Sequence, residues 1–220
     1  MARYRPVPAP RHDLAPGQAR EASTRFRETM ASRRSIRDFS AEPFDLELVR
    51  NALHVANSAP SGANVQPWHF VVVTDRAVKR RIREGAEKEE REFYASKASK
   101  RWLDALEALG TDPRKPHLEI APVVIVVFEV HRSDVTPQPY YVKESVGIAV
   151  GFLLAALHHS GLATLTHTPS PMKFLNEILG RPRHERPYVV IPVGKAAAGA
   201  RVPDIEKKVI EDVTTWIEDH

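Results

Sequence analysis

Within Ser32-Arg33-Arg34-Ser35-Ile36-Arg37-Asp38-Phe39, three arginines and two serines fall in eight residues, the composition of an anion receptor. The planar guanidinium fork suits two-point contact with phosphate oxygens, and Ser32 or Ser35 adds a short neutral donor. On a solvated helix face the same arginines would only make ion pairs, so the motif takes its meaning from what accompanies it. Other common catalytic sets are missing: there is no GxSxG, no HExxH, no P-loop and no GxGxxG after a strand. His158-His159 lies in an apolar helical run with no third ligand spaced to join it, so it reads as structural and metal catalysis is not expected. The chain has no cysteine, which removes disulfides and thiolate chemistry and leaves any redox reaction to a cofactor.

Several elements must position the arginine motif. A short helix is expected over Ser23 to Ala31, with the motif just past its end. Asp45 is placed as an N-cap, and Leu46, Val49, Leu53 and Ala56 follow at helical spacing up to Ala59-Pro60-Ser61-Gly62. Phe70 to Val73 and Val123 to Phe128 are short β-branched runs that predict buried strands. Between them, Ala77 to about Leu109 is helical in pattern but polar nearly all round, as in solvated helices or lids. Gly110 to Pro116 reads as a loop. Lys143 to Ser160 is helical and apolar on most faces, with Gly161 placed to terminate it. Ala163 to Thr168 predicts a third strand, Met172 to Leu179 a short helix ended by Gly180, and Tyr188 to Val193 a fourth strand. Intermixed helices and strands give an α+β fold with a largely buried sheet.

At 220 residues the chain is one domain with extended ends, and 42% hydrophobic against 27% charged residues is ordinary globular composition. A net charge of +4, from 32 basic and 28 acidic residues with no one-signed stripe, gives no case for nucleic acid. Residues 1–22 are proline-rich and aperiodic, an extended arm without the apolar stretch of a signal peptide. The most apolar run, Ser145 to Leu157, is about 13 residues, short of the roughly 20 that cross a bilayer, so no membrane partner is expected. A reducing cytoplasm is compatible with these features.

Taken together, Arg33-Arg34-Ser35-Ile36-Arg37, Ala59-Pro60-Ser61-Gly62-Ala63 with Gln66-Pro67-Trp68, and Leu179-Gly180 before Val193-Gly194 resemble the flavin-dependent nitroreductase superfamily, from about Ser23 to Lys208. The resemblance implies a nitroreductase-like α+β fold, a central mixed sheet flanked by helices in an intertwined homodimer. It makes residues 23–208 an FMN-binding domain with a substrate lid at 84–116, and 209–220 a tail. It assigns FMN contacts to Arg33, Arg34, Ser35, Ile36, Arg37, Ser61 and Gly62, with the last two letting backbone approach a flat ring.

Within that superfamily the sequence is similar to the iodotyrosine deiodinase branch. The branch clamps a halotyrosine zwitterion with a glutamate, a tyrosine four residues on and a later lysine, positions matched here by Glu90, Tyr94 and Lys115. At i and i+4, Glu90 and Tyr94 share a helix face that Lys115 can close over. A carboxylate binds an ammonium, while lysine and phenol bind a carboxylate. By the same resemblance Thr166, His167 and Thr168 lie at the flavin, with Thr168 near N5 as the catalytic hydroxyl, Ala63 N–H holds the phenolate, and Lys207 reaches the FMN phosphate. His167 stands where the branch has threonine, and Lys207 where arginine is common. The segment after Pro169 is one residue shorter. The membrane anchor of some members is not seen, so a soluble form is expected. The implied activity is FMN-dependent reductive dehalogenation of halotyrosines, with electrons from a reductase or NAD(P)H. A broad nitroreductase or quinone reductase is the alternative, and a flavin-binding sensor or storage protein is a third.

Overall fold

The computed structural model describes residues 5–107, 109–132 and 139–218. Residues 1–4 of the expected arm, 108 of the expected lid and 219–220 of the tail lie outside the described residues. The chain divides into two compact units, Met1–Arg33 and Arg34–His220.

The first unit contains one helix, α1 (Pro16–Ala31), which starts well before Ser23. Pro16 sits in its first turn, where a fixed φ favours the helix and the missing N–H costs nothing. The Gln18 side chain accepts from the Ala15 amide at 3.3 Å, steadying the same end. None of the residues of α1 is buried.

The second unit is built on a four-stranded sheet of order β1-β2-β4-β3, with β1 at Trp68–Val73, β2 at Val123–Val130, β3 at Ala163–Thr164 and β4 at Glu185–Gly194. All three strand pairings are antiparallel. Among the described residues, the mixed character expected of the sheet rests on a single isolated parallel bridge, outside the named strands, between Ser35 and Thr164. Side chains alternate across β2, so Val123, Ile125 and Val127 face one layer while Val124, Val126 and Phe128 face the other. On the first face lie α2 (Glu47–Asn57), through Val49, Ala52 and Ala56, and α6 (Val142–His159), through Val146, Ala149, Leu153 and Leu157. On the second lie α3 (Arg76–Glu92), a single turn α5 (His117–Ile120) and α7 (Phe174–Leu179). Between α3 and α5 comes α4 (Lys100–Glu107).

Three further elements depart from the sequence reading. Leu46, not Asp45, is the N-cap of α2, although the Asp45 carboxylate still accepts from the Glu47 amide at 2.9 Å. The third strand stops at Thr164, and beyond it only His167 pairs, with Val190. The helix α3 is not solvated all round: Ile82 and Ala86 are fully buried and Lys79 nearly so. Lys79 keeps its charge hydrogen-bonded, Nζ donating to the carbonyls of Ala121 at 2.6 Å and Pro122 at 3.2 Å. Gly85 lets α3 approach α7, since a β-carbon there would stand 2.5 Å from the Phe174 ring.

Candidate active site

The segment after Arg33 runs along the edge of the sheet. Ile36 N–H donates to the Thr164 carbonyl at 3.0 Å, Ser40 N–H to Lys195 at 2.9 Å, and Ala197 N–H to Asp38 at 2.9 Å. The Arg34 guanidinium donates to the Pro203 carbonyl, which ties the arginine motif to the C-terminal segment. Thr164 leads into Thr166-His167-Thr168, fixed by reciprocal 2.8 Å backbone bonds between His167 and Val190. Alternation leaves Thr166 and Thr168 exposed and turns His167 inward.

Arg37, Thr166 and Thr168 line a cavity of about 470 Å³ with Glu90, Tyr94 and Lys115. Its apolar wall comes from Phe93, Trp102, Leu106 and Leu109. Tyr94 reaches the cavity from a π-helical turn, Phe93–Lys97, that continues α3. Such wide turns occur where a helix re-aims side chains, often at functional sites. Phe93 braces the wall edge-to-face on Trp102 at 5.4 Å.

The clamp residues Glu90, Tyr94 and Lys115 have polar partners within the fold. Lys115 Nζ lies 3.4 Å from Glu90 Oε2 and donates to Thr111 Oγ1 at 3.1 Å and to the Asp112 carbonyl. The Tyr94 hydroxyl donates to the Thr111 carbonyl at 3.1 Å. Burial raises the pKa of Glu90, and the Lys115 ammonium beside it pulls the other way. Burial likewise raises that of Tyr94, which favours the neutral phenol. The loop carrying Lys115 is pinned to α3 because Lys115 N–H donates to Glu87 Oε1 at 2.9 Å. Glu87 is itself held by Arg83 Nη1 at 2.8 Å, and Arg83 Nε also donates to Glu119 at 2.9 Å. Glu87 and Thr111 were missed from sequence. Glu87 precedes Glu90 by three residues on the same helix face, a signal that was present, whereas Thr111 offered none.

Residues 30–195 match the nitroreductase family. The chain is 49% identical over 207 residues to an iodotyrosine deiodinase of Haliscomenobacter hydrossis (strain ATCC 27775 / DSM 1100 / LMG 10767 / O), covering 92% of this chain and 93% of that protein. It is 43% identical to iodotyrosine deiodinase 1 of Rattus norvegicus, over 91% of this chain and 72% of that one. Its fold matches the crystal structure of an oxidized iodotyrosine deiodinase bound to FMN and 3-iodo-L-tyrosine, with a TM-score of 0.74 and 33% identity, over 87% of this chain and 100% of the other. This chain belongs to the nitroreductase family.

The segment that matches the nitroreductase family takes in the arginine motif, the cavity and Thr166 to Thr168, and leaves Lys207 outside. Lys207 is exposed, and Arg33 closes the first unit. Ser61, Gly62 and Ala63 do not line the cavity. They form a loop with left-handed backbone at Ala63 (φ 48°), Asn64 (55°) and Gln66 (51°). Ser61 Oγ accepts from the Gln66 amide at 2.9 Å and holds the loop in shape. A β-carbon on Gly62 would stand 3.1 Å from the Tyr140 ring and 3.2 Å from that of Tyr141.

Proposed function

We propose that this chain is an FMN-dependent oxidoreductase that reductively dehalogenates halotyrosines as a homodimer in the cytoplasm. The carrying observation is that Glu90, Tyr94 and Lys115 converge on one cavity that Arg37, Thr166 and Thr168 also line.

The residues present suit a flat, anionic cofactor. Arg34, Ser35, Ile36 and Arg37 lie along the sheet edge that leads to the exposed Thr166 and Thr168, and the exposed Lys207 would add charge for a phosphate. Ser61 and Gly62 supply backbone that can approach a ring closely. FMN bound there supplies two electrons for the net conversion of a carbon–halogen bond and a proton into a carbon–hydrogen bond and halide, after reduction by a reductase or NAD(P)H. The protein's contribution is position and electrostatics. Glu90 receives the substrate ammonium, Lys115 and Tyr94 its carboxylate, and Phe93, Trp102 and Leu106 exclude water. Thr168 would offer its hydroxyl to the bound flavin, and Ala63 N–H would hold the phenolate oxygen.

A second copy of the chain supplies the Ser61–Ala63 loop to the cavity in this reading. Ile148 and Phe152 on α6 remain about 40% exposed. After Pro203, a segment that contains the short helical turn Ile210–Val213 exposes Ile205, Val209, Trp216 and Ile217. Apolar surface of this extent calls for a partner. The functional test is anaerobic oxidation of the dithionite-reduced, FMN-loaded protein by 3-iodotyrosine, followed at the flavin absorbance band, with a nitroaromatic for comparison. Rapid reoxidation by iodotyrosine with release of iodide is expected. Reoxidation by the nitroaromatic alone would replace this reading with a nitroreductase.

A further inference from the structure

His167 is more than nine-tenths buried, and its Nε2 has no hydrogen-bond partner. Buried polar atoms are rarely left so, because each forfeits hydration without compensation. The nearest carboxylate oxygen is Glu90 Oε1, 3.8 Å away, while Glu90 Oε2 turns toward Lys115. At 3.8 Å there is no hydrogen bond, but a shift of about 1 Å would make one. The other groups near the imidazole are His117, edge-on with ring centres 6.0 Å apart, and the cations Lys115 and Arg37. Burial and these cations keep the ring neutral, so one ring nitrogen carries a proton it can donate.

We propose that His167 is a positioning residue for Glu90: when a zwitterion enters the cavity, Nε2–H donates to Glu90 Oε1 and replaces Lys115 as the carboxylate's partner. The proposal rests on the halotyrosine reading. In the free cavity Lys115 is the counterion of Glu90. A substrate carboxylate draws Lys115 away, and Glu90 must then face the substrate ammonium with one oxygen while the other is held. His167 is the donor placed to hold it, approaching from the inward face of the segment whose outward threonines face the cofactor side. This assigns His167 to substrate recognition rather than to flavin contact.

Dissociation constants of 3-iodotyrosine and of 2-iodophenol, which has no zwitterion, test it in FMN-loaded wild type, His167→Leu and His167→Gln. His167→Leu should weaken iodotyrosine about tenfold and leave iodophenol unchanged, because the loss is one charge-assisted hydrogen bond. His167→Gln, which restores an N–H donor, should recover most of the affinity. In a Glu90→Gln background, His167→Leu should cost nothing further. Should His167→Leu fail to load FMN, His167→Asn, polar but too short to reach Glu90, takes its place in the same comparison. Unchanged iodotyrosine affinity, parallel loss of both ligands, or no recovery with glutamine would overturn the assignment. A wild type that binds iodophenol as tightly as iodotyrosine would overturn the halotyrosine reading itself, whereas a discriminating wild type with an equally discriminating leucine variant would overturn only the role of His167.

Discussion

Glu90, Tyr94 and Lys115 meet across one cavity inside a single chain, whereas Ser61, Gly62 and Ala63 sit on a loop that lines no part of it. The first group is held by a continuous set of bonds from Arg83 through Glu87 to the backbone of Lys115. The second is held by local geometry, Ser61 Oγ on the Gln66 amide and Gly62 against Tyr140 and Tyr141. One side is thus assembled by tertiary contacts within the fold. The other is a local turn with Ala63 and Asn64 exposed, which in the proposed homodimer would complete the site of another copy.

The comparison breaks most sharply at the clamp. Glu90→Gln, Tyr94→Phe and Lys115→Ala should each lower kcat/KM for halotyrosine by about a hundredfold, since each leaves a desolvated substrate charge without its partner. Reduction of a small nitroaromatic should change little, because it has no ammonium or carboxylate. Steady-state kinetics on both substrates check this, and parallel loss of both activities would make the clamp a structural lid only.

On the other side the expected effects run through assembly and cofactor. Phe152→Asp should yield a monomer with reduced flavin content by sedimentation and absorbance, while Arg37→Ala in the intact dimer should weaken FMN roughly ten to a hundredfold. A stable, FMN-loaded Phe152→Asp monomer would show that one chain completes the site.

The sequence carried the strands well because Val123 to Phe128 and Tyr188 to Val193 are β-branched runs with few other options. It missed the buried stripe of α3, where Lys79, Ile82 and Ala86 are outnumbered by the charges around them. It also missed the start of α1, whose signal is a proline in the first turn rather than an apolar period. The clamp residues were legible through spacing and resemblance. Glu87 was not singled out, because its bond to Lys115 joins a helix to a loop 28 residues away. His167 read as a flavin neighbour by its place between two threonines, and only the alternation of the backbone turns it toward Glu90.

The cavity side should also be the acid-sensitive one. Burial, then neighbouring cations led by Lys115, lower His167 to about 3 and His117 to about 4, against an ordinary histidine value of 6.5. Between those values the unfolded chain binds protons that the folded one refuses, so stability is full above about pH 6.5 and falls as pH drops toward 4. Urea unfolding from pH 7.5 to 4.5 should show this decline, and His117→Gln together with His167→Gln should flatten it. An unchanged slope in the double variant would place the acid sensitivity elsewhere.

The smallest effect divides the clamp side itself. The amides of α3 around Ile82 and Ala86 belong to a fully buried stripe, so their hydrogen exchange should be slow with or without ligand. The π turn Phe93–Lys97 and α4 carry Tyr94 and the half-exposed Trp102, which line the cavity that a ligand would fill. Halotyrosine binding to the FMN-loaded protein should therefore add protection over residues 93–107 and 109–111, by about tenfold, and little over 79–87. The lid is then shorter than residues 84–116, hinged where α3 passes into its π turn. Equal protection gained from 84 to 116 would make the whole stretch one moving unit, and no gain anywhere would mean that the cavity is closed before substrate arrives.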